Sequence, residues 1–253
     1  MSARMEACLE GFRSPIPSAI NLCSFWRDQD APWLIACEES GTVRDAFTRR
    51  GIAAVSCDLK ASRSPHGLHY QGDVRDILYR PWAGVIAHPT CTFLTNSGVR
   101  WYTTPTKDPT IPWGAARWDC LREGAAFFRL FVDYAEAHPD VPVAIENPVM
   151  HKHAIALIGR KHDQTVQPFH FGDMQSKRTA WWLYNGLPLL VPTNDVEAEM
   201  RKLPIAAYSK VHYASPGADR AQERSEFFPG MADALACQWG LRSVVSTPPG
   251  SDK

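Results

Sequence analysis

Four short apolar runs, each cut off by a polar turn, constrain this chain more than any other feature. They are Pro32 to Cys37, Ile52 to Cys57, Gly84 to Ala87 and Val141 to Ile145. Runs this short and without alternation read as strands buried on both faces, and such strands belong to parallel sheets covered by helices. Between the first two, Thr42-Val43-Arg44-Asp45-Ala46-Phe47 opens a helix that ends near Gly51. A helical pass between two buried strands is a right-handed crossover, which makes the pair parallel. The expected fold is α/β, a doubly wound and mostly parallel sheet.

The remaining elements follow from period and turn signals. A short third strand is expected at about Leu68 to Tyr70. A long helix from Ala115 to Ala137 places Trp118, Leu121, Ala125, Phe128, Val132 and Ala135 on one face. Further strands are expected at Thr165 to Phe169 and Thr179 to Tyr184, with a turn at Gly172-Asp173 between them and a closing helix from about Arg220 to Trp239. Met150 to His162, rich in His and Lys, receives no element. Arg100 to Trp113, rich in Thr and Pro, reads as a mobile loop suited to a lid. Residues 1–30 are expected to form an N-terminal extension, 31–240 a single domain and 241–253 a tail; no internal repeat is present.

At 253 residues, with 45% hydrophobic and 21% charged side chains, the chain is long enough for one full α/β core and too apolar for disorder. Lys+Arg and Asp+Glu balance at 27 each, so the overall charge advertises no phosphate-gripping surface. Lys152, Arg160, Lys161, Lys177, Arg178, Arg201, Lys202 and Lys210 would make a modest basic rim, or merely a solvated surface. The seven cysteines, Cys8, Cys23, Cys37, Cys57, Cys91, Cys120 and Cys237, are odd in number and include no C-x-x-C pair, which points to a reducing compartment. No apolar stretch is long enough for a membrane span, and the N-terminus lacks a signal-peptide core. An intracellular, cytoplasmic protein is expected, with no membrane and no obligate protein partner.

Polar groups collect where the strands end. Glu38-Glu39-Ser40-Gly41 follows the first strand, His88-Pro89-Thr90-Cys91 the Gly84 strand and Glu146-Asn147-Pro148 the Val141 strand. In a doubly wound sheet, turns at the carboxyl ends converge on one crevice where ligands bind. Cys91 in such a turn is either a thiol presented to a ligand or a small buried thiol that only packs. His88 either lowers the thiol pKa or plugs the core. A metal reading of His88-x-x-Cys91 supplies only two ligands and lacks the zinc deaminase pattern, so no metal is expected.

These residues resemble the cytosine-C5 DNA methyltransferase family, most closely a short phage-type branch. The Cys91 loop resembles its Pro-Cys nucleophile loop and Glu146-Asn147-Pro148 its Glu-Asn-Val motif. Phe171-Gly172-Asp173-Met174-Gln175-Ser176-Lys177-Arg178 is similar to its Gly-x-x-Gln-x-Arg element, and Gln71-Gly72-Asp73-Val74 to its Gly-Asp-Ile turn. Order and spacing agree over roughly Leu34 to Trp239. The resemblance implies a class I, Rossmann-like methyltransferase domain that binds S-adenosylmethionine and methylates cytosine in DNA. Cys91 would be the thiolate that adds to C6, Glu146 the carboxyl group at ring N3 and the exocyclic amine, and Arg178 a brace for the ring carbonyl or a phosphate. Glu39, Ser40, Gly41, Asp58, Asp73 and His88 would face the cofactor, with Asp58 at the ribose hydroxyls and Asp73 at the adenine amine. Thr92, Asn96, Ser97, Asn147 and Gln175 would face the substrate. Asp58 has a second reading as a turn cap, while Asn147 reads as a side chain that fixes its own turn before it touches substrate, and Asp76 as a solvated helix residue.

The sequence also departs from that family. Where the family has Phe-x-Gly-x-Gly, this chain has Ala36-Cys37-Glu38-Glu39-Ser40-Gly41, with one glycine and two carboxylates. The proline before the cysteine is Thr90, and the preceding glycines are Ala87-His88. Only about fifty residues separate Arg178 from the last helix, too few for a domain that reads duplex DNA. A free pyrimidine nucleotide or single-stranded nucleic acid is therefore a second substrate reading. An inactive module of the same fold that binds nucleic acid or protein is a third, and a cysteine hydrolase, lacking an oxyanion turn, a weaker fourth.

Overall fold

The structure, a computed structural model, describes residues 31–209 and 227–240, all within the second of the two units into which the chain divides, Ala31–Lys253. The expected extension over 1–30 and tail over 241–253, and the start of the expected closing helix, lie outside the described residues. Seven strands form one sheet: β1 (Trp33–Ala36), β2 (Ala54–Asp58), β3 (Leu68–Gln71), β4 (Gly84–Ala87), β5 (Val143–Pro148), β6 (Gln164–Val166) and β7 (Thr179–Tyr184). Their order is β3-β2-β1-β4-β5-β7-β6. Pairs among β1 to β5 are parallel, whereas β7 runs antiparallel to both β5 and β6. This is a doubly wound, mostly parallel, Rossmann-like sheet. The order reverses between β1 and β4, the switch point at which such sheets open a crevice.

The helices are α1 (Thr42–Arg49), α2 (Gly114–Ala137), α3 (Lys152–Ile158), α4 (Glu197–Met200), α5 (Ile205–Tyr208) and α6 (Pro229–Gln238). Every residue of β1 and of β4 is buried, as unalternating apolar strands require when both faces of a sheet are covered. Two adjacent tryptophans of β7 mark the two faces, because neighbouring strand residues point to opposite sides. Trp181 meets Trp239 just beyond α6 at 5.1 Å, and Trp182 meets Phe128 of α2 at 5.0 Å. On the Trp181 side, α1 and α6 pack together with Trp33, Phe47 and Leu235 in the core. Gly84 is required there, since a Cβ would stand 2.5 Å from the Trp33 ring.

Several boundaries differ from expectation. The Met150 to His162 segment contains α3, a helix too short to reveal its period, which the left-handed Gly159 (φ 84°) closes. The strand expected over Thr165 to Phe169 is β6, Gln164–Val166, and Pro168 then begins a 3-10 turn over Pro168–His170. Proline has no N–H to give to a ladder, which ends the strand there. The described part of the closing helix starts only at Pro229, a favoured first position. Among the described residues, no helix is long and apolar enough to cross a membrane.

Candidate active site

The turn after β1 takes its shape from two left-handed residues, Cys37 (φ 59°) and Gly41 (φ 75°). Glycine suits the second position, where a Cβ would lie 2.6 Å from the Arg44 guanidinium. The two neighbouring carboxylates have separate fates. Glu38 is buried and accepts hydrogen bonds from the backbone N–H groups of Val43 (2.6 Å) and Arg44 (3.2 Å). It thus caps the first turn of α1 from within the protein, satisfying N–H groups that helices leave without partners. Burial pushes the Glu38 carboxyl up from its ordinary range, and the nearby His88 and those two N–H groups act in the opposite direction. Glu39 turns outward to Lys60 (3.2 Å) and Arg63 (3.8 Å). Ser40 accepts from the Thr42 N–H at 3.2 Å. The sequence places Glu38 in this turn without assigning it a role; the signal for one is its position just ahead of a helix.

Beside this turn, a cleft of about 330 Å³ opens at the carboxyl ends of β1, β2 and β4. Asp58, Asp73 and His88 line it, while Glu39, Ser40 and Gly41 lie outside its lining. Leu59, Val74 and Phe127 supply apolar surface. Asp58 accepts from the Lys60 N–H at 2.9 Å, as a turn cap does. Asp73 caps the following 3-10 turn through the Arg75 N–H (2.9 Å) and pairs with the Arg75 guanidinium at 2.8 Å. Asp76 is exposed and accepts from the Tyr70 hydroxyl at 3.0 Å, so it has a specific partner. Cys37 and Cys57 also line the cleft. Burial drives both thiols up, Cys57 to about 12 and Cys37 further, so both stay protonated and poorly nucleophilic. Acidic groups between apolar walls fit the hydroxyls and ring of a nucleoside such as that of S-adenosylmethionine. The first N–H groups of α1, occupied by Glu38, are not free for a ligand carboxylate.

The Cys91 loop leaves β4 next to this cleft. Its first residue extends the β1 pairing, His88 N–H donating to the Ala36 carbonyl at 2.9 Å. His88 Nδ1 lies 3.3 Å from Glu146 Oε2, and both side chains are mostly buried. Asn147, fully buried in β5, donates from Nδ2 to the Pro89 carbonyl at 2.9 Å. The expectation that Asn147 fixes its own turn is therefore corrected: it holds the loop of the neighbouring strand. Cys91 is half-buried and its carbonyl accepts from the Leu94 N–H at 3.0 Å. Thr90 and Thr92 are exposed with their hydroxyls 3.3 Å apart, and Asn96 and Ser97 are exposed.

Behind the loop stands a support that the sequence reading missed. Tyr102 donates its hydroxyl to the Phe93 carbonyl at 2.9 Å, and His151 Nε2 lies 3.0 Å from the same oxygen. His151 Nδ1 accepts from the Ala154 N–H at 3.1 Å, which assigns the ring proton to Nε2. Burial lowers the His151 pKa. Arg117, buried in α2, reaches the Ser97 carbonyl at 3.4 Å and lies over the rings of Phe93 (5.2 Å) and Tyr102 (5.1 Å). The one signal for it was an arginine beside the apolar stripe of a long helix.

The Phe171 to Arg178 element is mostly engaged in packing. Asp173 accepts from the N–H groups of Gly230 and Met231, each at 3.2 Å, at the start of α6. Gln175 donates to the Ala207 carbonyl at 3.0 Å. Arg178 is exposed immediately before β7, whose first residue pairs with Pro148, so it shares an edge with Glu146 and Asn147. Of the basic rim, Arg160 pairs with Asp163 (2.6 Å) and Arg201 with Glu197 (2.5 Å), while Lys210 lies outside the described residues. Among the described residues, no cluster of His, Cys, Asp and Glu could hold a metal ion.

No family model matches the chain, and no curated protein matches it. Among solved structures it is similar to a crystal structure of a DNMT2 mutant from Spodoptera frugiperda, at 11% identity and a TM-score of 0.34. That alignment covers 66% of this chain and 54% of the other, so the chain spans about half the length of the structure it matches.

Proposed function

We propose that the chain is an S-adenosylmethionine-dependent methyltransferase that methylates C5 of cytosine in DNA through a covalent bond between Cys91 and C6. The observation that carries this reading is the joint between β4 and β5. His88 and Asn147 tie the Cys91 loop to the strand end that bears Glu146, next to a cleft lined by Asp58 and Asp73. A pyrimidine C5 is a poor nucleophile until a thiolate adds at C6, and that addition needs an acid at N3 on the same face of the site. Cys91 would supply the thiolate and Glu146 the acid. The clamp on Pro89 and the Tyr102–His151 support fix the loop so that thiol and carboxyl keep their relation, and such orientation contributes much of the rate in reactions of this type. Asp58 and Asp73 would hold the cofactor's ribose and adenine, Arg178 would brace the substrate, and the cofactor would supply the methyl group. Cys37 and Cys57, held protonated, would not compete as nucleophiles.

A second reading keeps the chemistry and changes the substrate to a free pyrimidine nucleotide or single-stranded nucleic acid. It is favoured by the described stretch after β7, whose helices are only the single turns α4 and α5. Drawing a base out of a duplex costs a few kcal/mol, which a single-stranded substrate largely avoids.

The test is adduct trapping with 5-fluorocytosine substrates in the presence of S-adenosylmethionine, comparing a mononucleotide, a single strand and a duplex. The wild type should form a stable adduct and Cys91→Ser none. An adduct that persists in Cys91→Ser would eliminate Cys91 as the nucleophile. Calorimetry with S-adenosylmethionine reads the cleft separately, and silence there together with no adduct would leave an inactive binding module.

A further inference from the structure

We propose that His88 delivers the proton that Glu146 passes to the substrate ring, a positioning role exerted through Glu146 that rests on the methyl-transfer reading above. His88 Nδ1 is 3.3 Å from Glu146 Oε2, and the two side chains are only 12% and 13% exposed, so the pair is shielded from bulk water. The ring is held edge-on by Phe227 at 5.1 Å and Trp181 at 6.4 Å, which keeps Nδ1 directed at the carboxylate. Its other nitrogen, Nε2, is enclosed and has no hydrogen-bond partner among the described residues. His88 also belongs to the wall of the cleft. It therefore stands between the cleft and Glu146, and is the basic group between two acids, Glu146 on β5 and Glu38 in the turn after β1. Cys37, Cys57, Asp58, Asp73 and Arg75 complete the titratable lining it faces across the cleft.

The chemistry balances without an added reactant. The Cys91 thiolate pair forms the bond to C6, the C5=C6 pair moves to C4–C5, and the C4=N3 pair takes up the proton of Glu146. The imidazolium proton on Nδ1 passes to Oε2 of the ionised Glu146 as N3 takes a proton from that carboxyl group, so Glu146 begins and ends ionised. A thiolate and an imidazolium are consumed, leaving a neutral adduct and a neutral imidazole. A carboxyl group alone is almost fully ionised at neutral pH and would have to collect each proton from water. His88, in contact with Oε2, supplies that proton from within the protein.

The test is the pH profile of adduct formation in the wild type and in His88→Asn, whose amide can still donate to Glu146 from near the Nδ1 position but does not titrate. Cys91 ionisation is measured in both proteins from the pH dependence of its alkylation and divided out, so that the ratio of rates isolates the proton supply. That ratio should be near 1 in acid, where a carboxyl group is protonated without help, and reach about 100-fold at neutral pH, within the range of general acid catalysis. Parallel profiles in a wild type that forms adduct would overturn the role of His88 and leave the methyl-transfer reading standing. No wild-type adduct on any of the three substrates would overturn both. A thermal melt checks that His88→Asn is folded. If it is not, nitrogen-15 spectra of the His88 ring in Glu146→Gln supply the answer: a shift relative to wild type supports the contact, and an unchanged ring overturns it.

Discussion

Asn147 is the residue whose role changes most between sequence and structure. Its amide reaches the Pro89 carbonyl in the loop of the adjacent strand, and its Oδ1 is buried with no partner among the described residues. Asn147→Ala should leave that carbonyl without its donor and cost about 1–3 kcal/mol in a urea melt. The same variant should slow adduct formation by about 10-fold or more, as the Cys91 loop loses its tie to Glu146. A variant with normal adduct kinetics would make the clamp purely structural. The residue types at this site, a cysteine, a glutamate and an asparagine at strand ends, could be read from the chain. Their pairing could not, because hydrogen bonds across 58 residues depend on which strands become neighbours.

At the scale of elements, the Cys91 loop is supported from outside by Tyr102, by Arg117 of α2 and by His151 at the start of α3. Tyr102→Phe removes one of the two donors to the Phe93 carbonyl and should cost about 1 kcal/mol, read as a lower melting temperature. His151 makes this support sensitive to acid. Buried with Nδ1 accepting from Ala154, it is held neutral, so its folded pKa lies below the unfolded value near 6.5. The unfolded chain then binds the extra proton first, and stability should fall as pH drops through about 6.5 toward the folded value. His151→Gln should flatten that part of a stability-against-pH curve, and an unchanged slope would remove His151 as its source. The long helix α2 was visible because it repeats its apolar face over many turns. Helix α3, with seven residues, was not.

For the whole molecule, the sheet order decides everything at the site. Placing β1 between β2 and β4, and β5 beyond β4, brings the Glu38 turn, the Cys91 loop and the Glu146 strand end to one edge. The two layers that hold this sheet meet β7 through Trp181 and Trp182. Trp181→Ala should cost about 3–5 kcal/mol in a denaturant melt, the usual range for emptying a buried tryptophan. Gly84→Ala should also destabilise, by about 1–3 kcal/mol, because its methyl meets the Trp33 ring in a strand with no room to shift. A neutral result at Gly84 would mean that β4 packs less tightly than these contacts require.

By itself the sequence determined the fold class, most strand positions and the candidate residues, since these depend on local period, turn chemistry and residue type. Unbroken apolar runs joined by a helical pass leave little choice but a parallel sheet with covered faces. Tertiary structure alone decided what those residues do to one another. It separated Glu38, buried as a helix cap, from Glu39, paired with surface cations, although the two are adjacent and chemically alike. It joined His88 to Glu146 and Asn147 to Pro89 through the pairing of β4 with β5. Burial and partner choice depend on which distant segments meet, and no local pattern encodes that meeting.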